Sequence, residues 1–285
     1  MSHARLASHD LAERVARAHD AVRARGVLAP RIGITLGSGL GVVAQTLEDA
    51  IAIPTADIPG WPVSTVAGHA GRLVVGRWRG VPVAVIAGRS HRYEGYTLDR
   101  ATFGLRVLHA LGADTLLFTN AAGGVGPQLD PGDLMLATDH VNFVGKRGLF
   151  TPDELRERRC GRRVARYHDP DLREALTRAA TRAKVPLRFG VLLGMHGPSY
   201  ETAAEIQWAL AMGTGAVCMS TVHEVTVAAH LGCRAASLST ITNRATGLGA
   251  GPLSHEEVTA AALAASARLR SVLETFLDGE RASSA

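Results

Sequence analysis

The sequence predicts an α/β protein: a single domain over residues 1–285 with a central mixed, largely parallel sheet flanked by helices. Three observations predict it. Short β-branched or apolar runs alternate with amphipathic helical patterns. Neither an internal repeat nor a low-complexity linker divides the 285 residues, 46% of them hydrophobic, which is enough for one substantial core. Glycine-bearing polar loops follow the apolar runs directly, where open α/β sheets hold their ligands.

Residues 8–25 read as an amphipathic helix with Leu11, Val15, Ala18 and Val22 on one face and Gly26 at its end. Strand-like runs follow at 31–36, 73–75, 81–87, 115–119, 134–137, 189–193 and 234–242. Between them, helical periodicity spans 98–111, 171–183, 202–211 and 254–276. Flexible ends are expected at 1–8 and 280–285. The least regular internal stretch, 145–166, reads as a surface loop or as a lid or subunit contact.

A net charge of +5 suits an anionic ligand, although much of the excess lies in RERRCGRRVAR at 156–166. With no interleaved aromatic residues and no reading module, that run reads as a solvated charged face in preference to a nucleic-acid site. Apolar runs fall well short of the about 20 residues of a membrane span, and MSHARLASHD lacks a signal-peptide core, so a cytoplasmic protein is expected. Cys160, Cys218 and Cys233 match neither a disulfide framework nor a zinc site and read as reduced thiols. The His, Cys and acidic residues show no metal-ligand spacing, so neither metal nor cofactor is expected.

Three loops carry the chemistry. Gly37-Ser38-Gly39-Leu40-Gly41 leaves the first strand with bare backbone N–H groups and a hydroxyl, suited to an anion, but lacks the third glycine of a dinucleotide fingerprint and the lysine of a P-loop. Gly88-Arg89-Ser90-His91 follows the 81–87 strand. If the strand geometry persists, Arg89 and His91 point to one side and can clamp one anion, phosphate being the natural one. Thr119-Asn120-Ala121-Ala122-Gly123-Gly124 leaves the next strand with small residues that let backbone approach a ligand.

These segments, with Gly68-His69-Ala70-Gly71-Arg72 and Tyr93-Glu94-Gly95-Tyr96, stand in the order found in trimeric purine nucleoside phosphorylases. The resemblance continues through Gly197-Pro198-Ser199-Tyr200-Glu201-Thr202, Met219-Ser220-Thr221-Val222-His223-Glu224, Ile241-Thr242-Asn243 and Ser254-His255-Glu256-Glu257-Val258, covering about 31–272. It implies the nucleoside phosphorylase fold, a homotrimer, and phosphate-dependent cleavage of 6-oxopurine nucleosides without a cofactor. It also implies that Ser38, Arg89, His91, Asn120, Ser220 and the backbone of Ala121 hold phosphate, with His69 and Glu94 supporting, and that Tyr93, Met219 and His255 line the ribose.

The same resemblance puts Tyr200 on the base and Glu201 and Asn243 on its polar edge, with His91, Asn243 and Glu201 as the catalytic set. Chemistry agrees: a carboxylate accepts from ring N–H groups, and an amide can serve O6 and N7, favouring hypoxanthine or guanine over adenine. Glu201 also reads as a carboxylate in the first turn of a helix. His109, His140 and His230 read as packing residues.

The chain departs from the family at Phe143-Val144-Gly145-Lys146-Arg147-Gly148-Leu149-Phe150, where a proline- and leucine-containing loop is usual, and at Cys218, where glycine commonly precedes Met219. Phe150, Val164 and Tyr167 are candidates for a residue lent to a neighbouring sugar pocket. The alternatives are a phosphorylase for a modified purine nucleoside, or a binding homologue that has lost turnover.

Overall fold

β-branched and apolar runs become interior strands where both faces of a sheet are covered. The computed structural model describes residues 3–37, 40–66, 71–145, 148–150, 167–249 and 255–282. Among them, nine strands form one sheet: β1 (Ile32–Leu36), β2 (Glu48–Pro54), β3 (Arg72–Trp78), β4 (Val81–Ala87), β5 (Thr115–Gly124), β6 (Leu134–Asn142), β7 (Leu187–Gly194), β8 (Thr214–Cys218) and β9 (Arg234–Arg244). Their order is β2-β3-β4-β1-β5-β8-β7-β6-β9. Because β9 also pairs with β5, the last five close on themselves.

The helices are α1 (His3–Arg23), α2 (Leu98–Ala101), α3 (Phe103–Ala110), α4 (Pro170–Arg182), α5 (Ala203–Ala211), α6 (Val222–His230) and α7 (His255–Ala282). They cover the two faces, and the alternation of side chains along β4 shows how. Ala84 and Ile86 pack into a core shared with Leu11 and Val22 of α1, Phe103 and Leu108 of α3 and Val225 of α6. Val83 and Val85 point the other way, into a core with Leu172 and Leu176 of α4 and Leu273 and Phe276 of α7. None of the described helices is long and apolar enough to cross a membrane.

The sheet is mixed, as expected, but only narrowly parallel: β1–β4, β1–β5, β5–β9, β6–β7 and β7–β8 run parallel, while β2–β3, β3–β4, β5–β8 and β6–β9 run antiparallel. Three elements escape sequence reading. β2 is a largely exposed edge strand without clean alternation, and β8 is a short Thr-Gly-Ala-Val-Cys run. α6 is rich in valine and threonine and buried through most of its length, so no amphipathic stripe marks it.

Two further differences have local causes. The helix expected over 98–111 is divided at Thr102, whose hydroxyl donates to the Leu98 carbonyl at 2.7 Å. Helical structure runs from His3 at one end and through Ala282 at the other, where Arg31 Nη2 donates to the carbonyl and carboxylate oxygens of Glu280 at 3.1 and 2.9 Å.

Candidate active site

β1, β4, β5 and β9 are mutually parallel, so their carboxyl ends meet at one edge of the sheet, and the end of β8 joins them from the closed half. One cavity opens there. Its lining includes Gly37, Arg89, His91, Tyr93, Asn120, Ala121, Ala122, Gly123, Tyr200, Glu201, Val217, Cys218, Met219, Ser220, Thr242, Asn243, Ala245 and Val258. Residues far apart in sequence are thus gathered at the strand ends and in the segments that leave them.

The chain passes very close to itself at the first strand exit. A side-chain carbon at Gly37 would lie 2.7 Å from the Asn120 backbone, and the Gly37 N–H donates to Thr119 Oγ1 at 3.1 Å. Only glycine permits that approach. Ser38, assigned to phosphate with this loop, lies outside the described residues, as does His69.

Strand geometry does not persist from β4 to His91. Gly88 turns the chain with φ +99°, and residues 92–94 form a 3₁₀ turn. Arg89 and His91 nevertheless both face the cavity while only 4% and 7% exposed. Arg89 Nη1 donates to Ser220 Oγ at 2.8 Å and to Thr221 Oγ1 at 3.3 Å; Nη2 donates to the Thr119 carbonyl at 2.9 Å. Its Nη2 also lies 3.3 Å from the carboxylate of Glu224.

His91 is held from behind. Glu94 Oε1 accepts from the His91 N–H at 2.6 Å and meets its Nδ1 at 3.2 Å. Glu94 Oε2 accepts from the N–H and hydroxyl of Thr65 at 2.5 and 2.9 Å and from Ser64 Oγ at 3.3 Å. Burial alone would raise the Glu94 pKa. The donors from His91 and Thr65 outweigh it and bring the value down to about 2. Nδ1 is thus turned towards Glu94, and the ring lines the cavity.

A measurable consequence follows. A carboxyl with its folded pKa depressed from 4.5 to about 2 contributes stability above pH 4.5 that is lost as pH falls towards 2. Glu94→Gln is expected to lower Tm at pH 7 by a few degrees, on the order of 2–4 °C per kcal/mol lost, with the gap to wild type closing as pH drops from 4.5. Acid sensitivity from His168 and His223, which burial lowers from 6.5 to about 3, is common to both proteins. Thermal unfolding across pH 3–7 checks this, and a gap independent of pH would remove the ionised Glu94 from the account.

The expected Asn120–Gly124 loop is instead the second half of β5, paired with β9 from Asn120↔Ser239 to Gly124↔Arg244. Asn120 contributes to the cavity wall, with its amide engaged by the Ala121 carbonyl at 3.1 Å and the Ser239 hydroxyl at 3.1 Å. The pairing shifts from Ala122↔Ile241 to Gly123↔Asn243, so Thr242 is an extra residue that re-aims Asn243 into the cavity. Asn243 Oδ1 accepts from Thr242 Oγ1 at 2.8 Å and Nδ2 donates to the Arg244 carbonyl at 2.9 Å. That network sets the orientation of the amide and leaves one N–H and one lone pair for a ligand.

Glu201 is not in the first turn of a helix. Thr202 is the N-cap of α5, and Glu205 closes the capping box by accepting from the Thr202 N–H at 2.7 Å. Glu201, one residue earlier, is buried in the cavity wall, and burial pushes its pKa up. Tyr93 stacks on His91 at 4.7 Å, with its hydroxyl pushed to about 12, first by burial and then by Glu94. His255 opens α7, but its side chain lies outside the described residues, as does most of the 145–166 segment.

After β8 the chain makes a tight γ-turn at Ser220–Thr221–Val222. Thr221 sits at φ +68°, ψ −52°, and the Val222 N–H donates to the Ser220 carbonyl at 2.7 Å. For a β-branched residue that backbone is strained, and it points the Ser220 and Thr221 hydroxyls together at Arg89. Thr221 and Glu224 were not singled out from the sequence. They are far from Arg89 along the chain, and the helix that carries Glu224 is not marked in the sequence.

Cys218 and Cys233 are free and buried, and Cys218 Sγ donates to the Ser220 carbonyl at 3.2 Å; Cys160 lies outside the described residues. His109 rests against Cys233, His140 against His168 and His230 against Phe150. Among the described residues no group of three or more His, Cys, Asp or Glu could hold a metal ion.

The family model described as "Phosphorylase superfamily" matches residues 31–278. The chain is 44% identical over 246 residues to purine nucleoside phosphorylase 1 of Bacillus subtilis (strain 168), covering 86% of this chain and 91% of that protein. It is 41% identical over 223 residues to purine nucleoside phosphorylase of Mus musculus, covering 75% and 76%. A structure of Schistosoma mansoni purine nucleoside phosphorylase in complex with inosine superposes with a TM-score of 0.83 at 32% identity, covering 93% of this chain and 96% of that one.

Proposed function

The chain belongs to the phosphorylase superfamily and, within it, to the purine nucleoside phosphorylases, and from that membership we propose that it cleaves inosine and guanosine with phosphate to give free base and ribose 1-phosphate. The observation that carries the reading is the union, in one cavity, of an anion-binding cationic and hydroxyl set with a carboxylate and an amide suited to the edge of a 6-oxopurine.

Arg89, His91, Ser220 and the backbone at Ala121 hold phosphate beneath the sugar, with Ser38 and His69 assigned to the same site by resemblance. Tyr93, Met219 and His255 line the ribose and Tyr200 covers the base. As the glycosidic bond lengthens, the sugar gains positive charge and the purine negative charge. The bound dianion is counter-charge and nucleophile at once, and its fixed position makes the attack effectively intramolecular. Glu201 accepts from the ring N–H. The spare N–H of Asn243 donates to O6, and its spare lone pair accepts a hydrogen bond from N7–H as the departing base takes up, through solvent, the proton that phosphate loses on becoming an ester, stabilising the leaving purine.

No cofactor or metal enters this scheme. We assign the enzyme to the cytoplasm and, by resemblance, to a homotrimer, which sedimentation would report as three times the 30.0 kDa chain. Cys218 in the cavity wall gives a specific reason to include modified purines among the substrates tested. A nucleoside panel read by chromatography of the free base tests the specificity: release from inosine and guanosine is expected to exceed release from adenosine, and adenosine as the fastest substrate would overturn the 6-oxopurine reading.

A further inference from the structure

We propose that Glu224 is a positioning residue for the phosphate site: its buried carboxylate fixes the plane of the Arg89 guanidinium and balances its charge. The proposal rests on the reading of Arg89 as a phosphate ligand.

Glu224 is the third residue of α6 and only 2% exposed. A first-turn carboxylate ordinarily faces solvent or its own helix N–H groups. This one instead faces Arg89, with its Oε2 3.3 Å from Nη2, as an ionic contact outside hydrogen-bond geometry. Both side chains are only 3% exposed, beside a small cavity that they line with Trp61, Ile86 and Leu105 among others, so neither charge is well hydrated.

Arg89 is therefore held from three directions. The Thr119 carbonyl of β5 takes Nη2, the Ser220 and Thr221 hydroxyls take Nη1, and Glu224 closes the side away from the cavity. The first three partners are neutral. Among these described partners Glu224 is the anionic one, and its charge offsets that of the buried guanidinium. A guanidinium so clamped meets an incoming phosphate in a fixed orientation, so its charge-assisted contact forms without a further search.

The carboxylate also repels the phosphate dianion, which makes the sign of its removal informative. If only charge mattered, Glu224→Gln would tighten phosphate. Positioning requires the opposite: the amide holds Nη2 less firmly, so the phosphate KM should rise about threefold, and about tenfold or more for Glu224→Ala, with the nucleoside KM little changed in both. The decisive measurement is steady-state kinetics of Arg89→Ala, Glu224→Ala and the double variant, with Glu224→Gln alongside as the milder change should the alanine variant not fold.

The expected result is that Glu224→Ala adds little to the phosphate KM once Arg89 is alanine. The proposal is overturned if Glu224→Ala raises both KM values together, if its effect on phosphate persists in full without Arg89, or if Glu224→Gln lowers the phosphate KM. If instead Arg89→Ala alone leaves the phosphate KM unchanged, the reading of Arg89 itself has failed.

Discussion

Arg89→Ala is expected to raise the phosphate KM by about 10- to 100-fold, the equivalent of losing one charge-assisted hydrogen bond at about 1.5–3 kcal/mol, while nucleoside binding persists. Among the described residues the partners of the guanidinium include Ser220, Thr221, Thr119 and Glu224, the set to which the proposed reading assigns the anion. Arg89→Lys should fall between, because an ammonium keeps the charge but loses the planar fork. Removing the guanidinium also leaves the Glu224 carboxylate buried without its counter-charge, which costs on the order of 3–5 kcal/mol of stability. Folding of the variant is therefore checked by its thermal transition before the kinetics are read. Wild-type phosphate dependence in a folded Arg89→Ala protein would place the anion elsewhere.

Asn243→Asp should reduce turnover of inosine and guanosine by about 10²-fold, the scale of one lost transition-state donor, and shift relative preference towards 6-amino purines. The amide is already oriented by Thr242 and the Arg244 carbonyl, so one N–H remains for a ligand in the cavity it lines. A carboxylate in that place repels O6 and accepts from an exocyclic amine. The ratio of inosine to adenosine cleavage is the readout, and it should fall even if both rates decline. An unchanged ratio would take Asn243 off the base edge.

The parts of the site that could be read from the sequence are those whose chemistry is local. Arg89 and His91 stand immediately beyond a clean apolar strand, so an anion-suited pair is visible in the residues themselves, whereas Glu201 and Asn243 came from the family resemblance, with their hydrogen-bonding chemistry in agreement. What was hidden depends on long-range pairing. β5 continues to Gly124 because β9 pairs with it there, and propensity at Ala-Ala-Gly-Gly gives no hint of a strand. The bulge at Thr242 exists only in relation to β5. α6 was missed because its valines and threonine suit a strand better than a helix, and only burial on all sides decides the matter. With α6 went its glutamate behind Arg89. The same logic explains Glu201, which pattern alone could put inside the helix and which the Thr202–Glu205 capping box leaves outside it.

The central claim is that this cavity brings phosphate and a purine nucleoside together and transfers the ribosyl group from one to the other. The most direct test is to incubate the enzyme with inosine, with and without phosphate, and to identify the sugar product. Ribose 1-phosphate and hypoxanthine in equal amounts, formed only when phosphate is present, are the predicted result. Free ribose released at the same rate without phosphate would contradict the account and make the protein a hydrolase on the same fold.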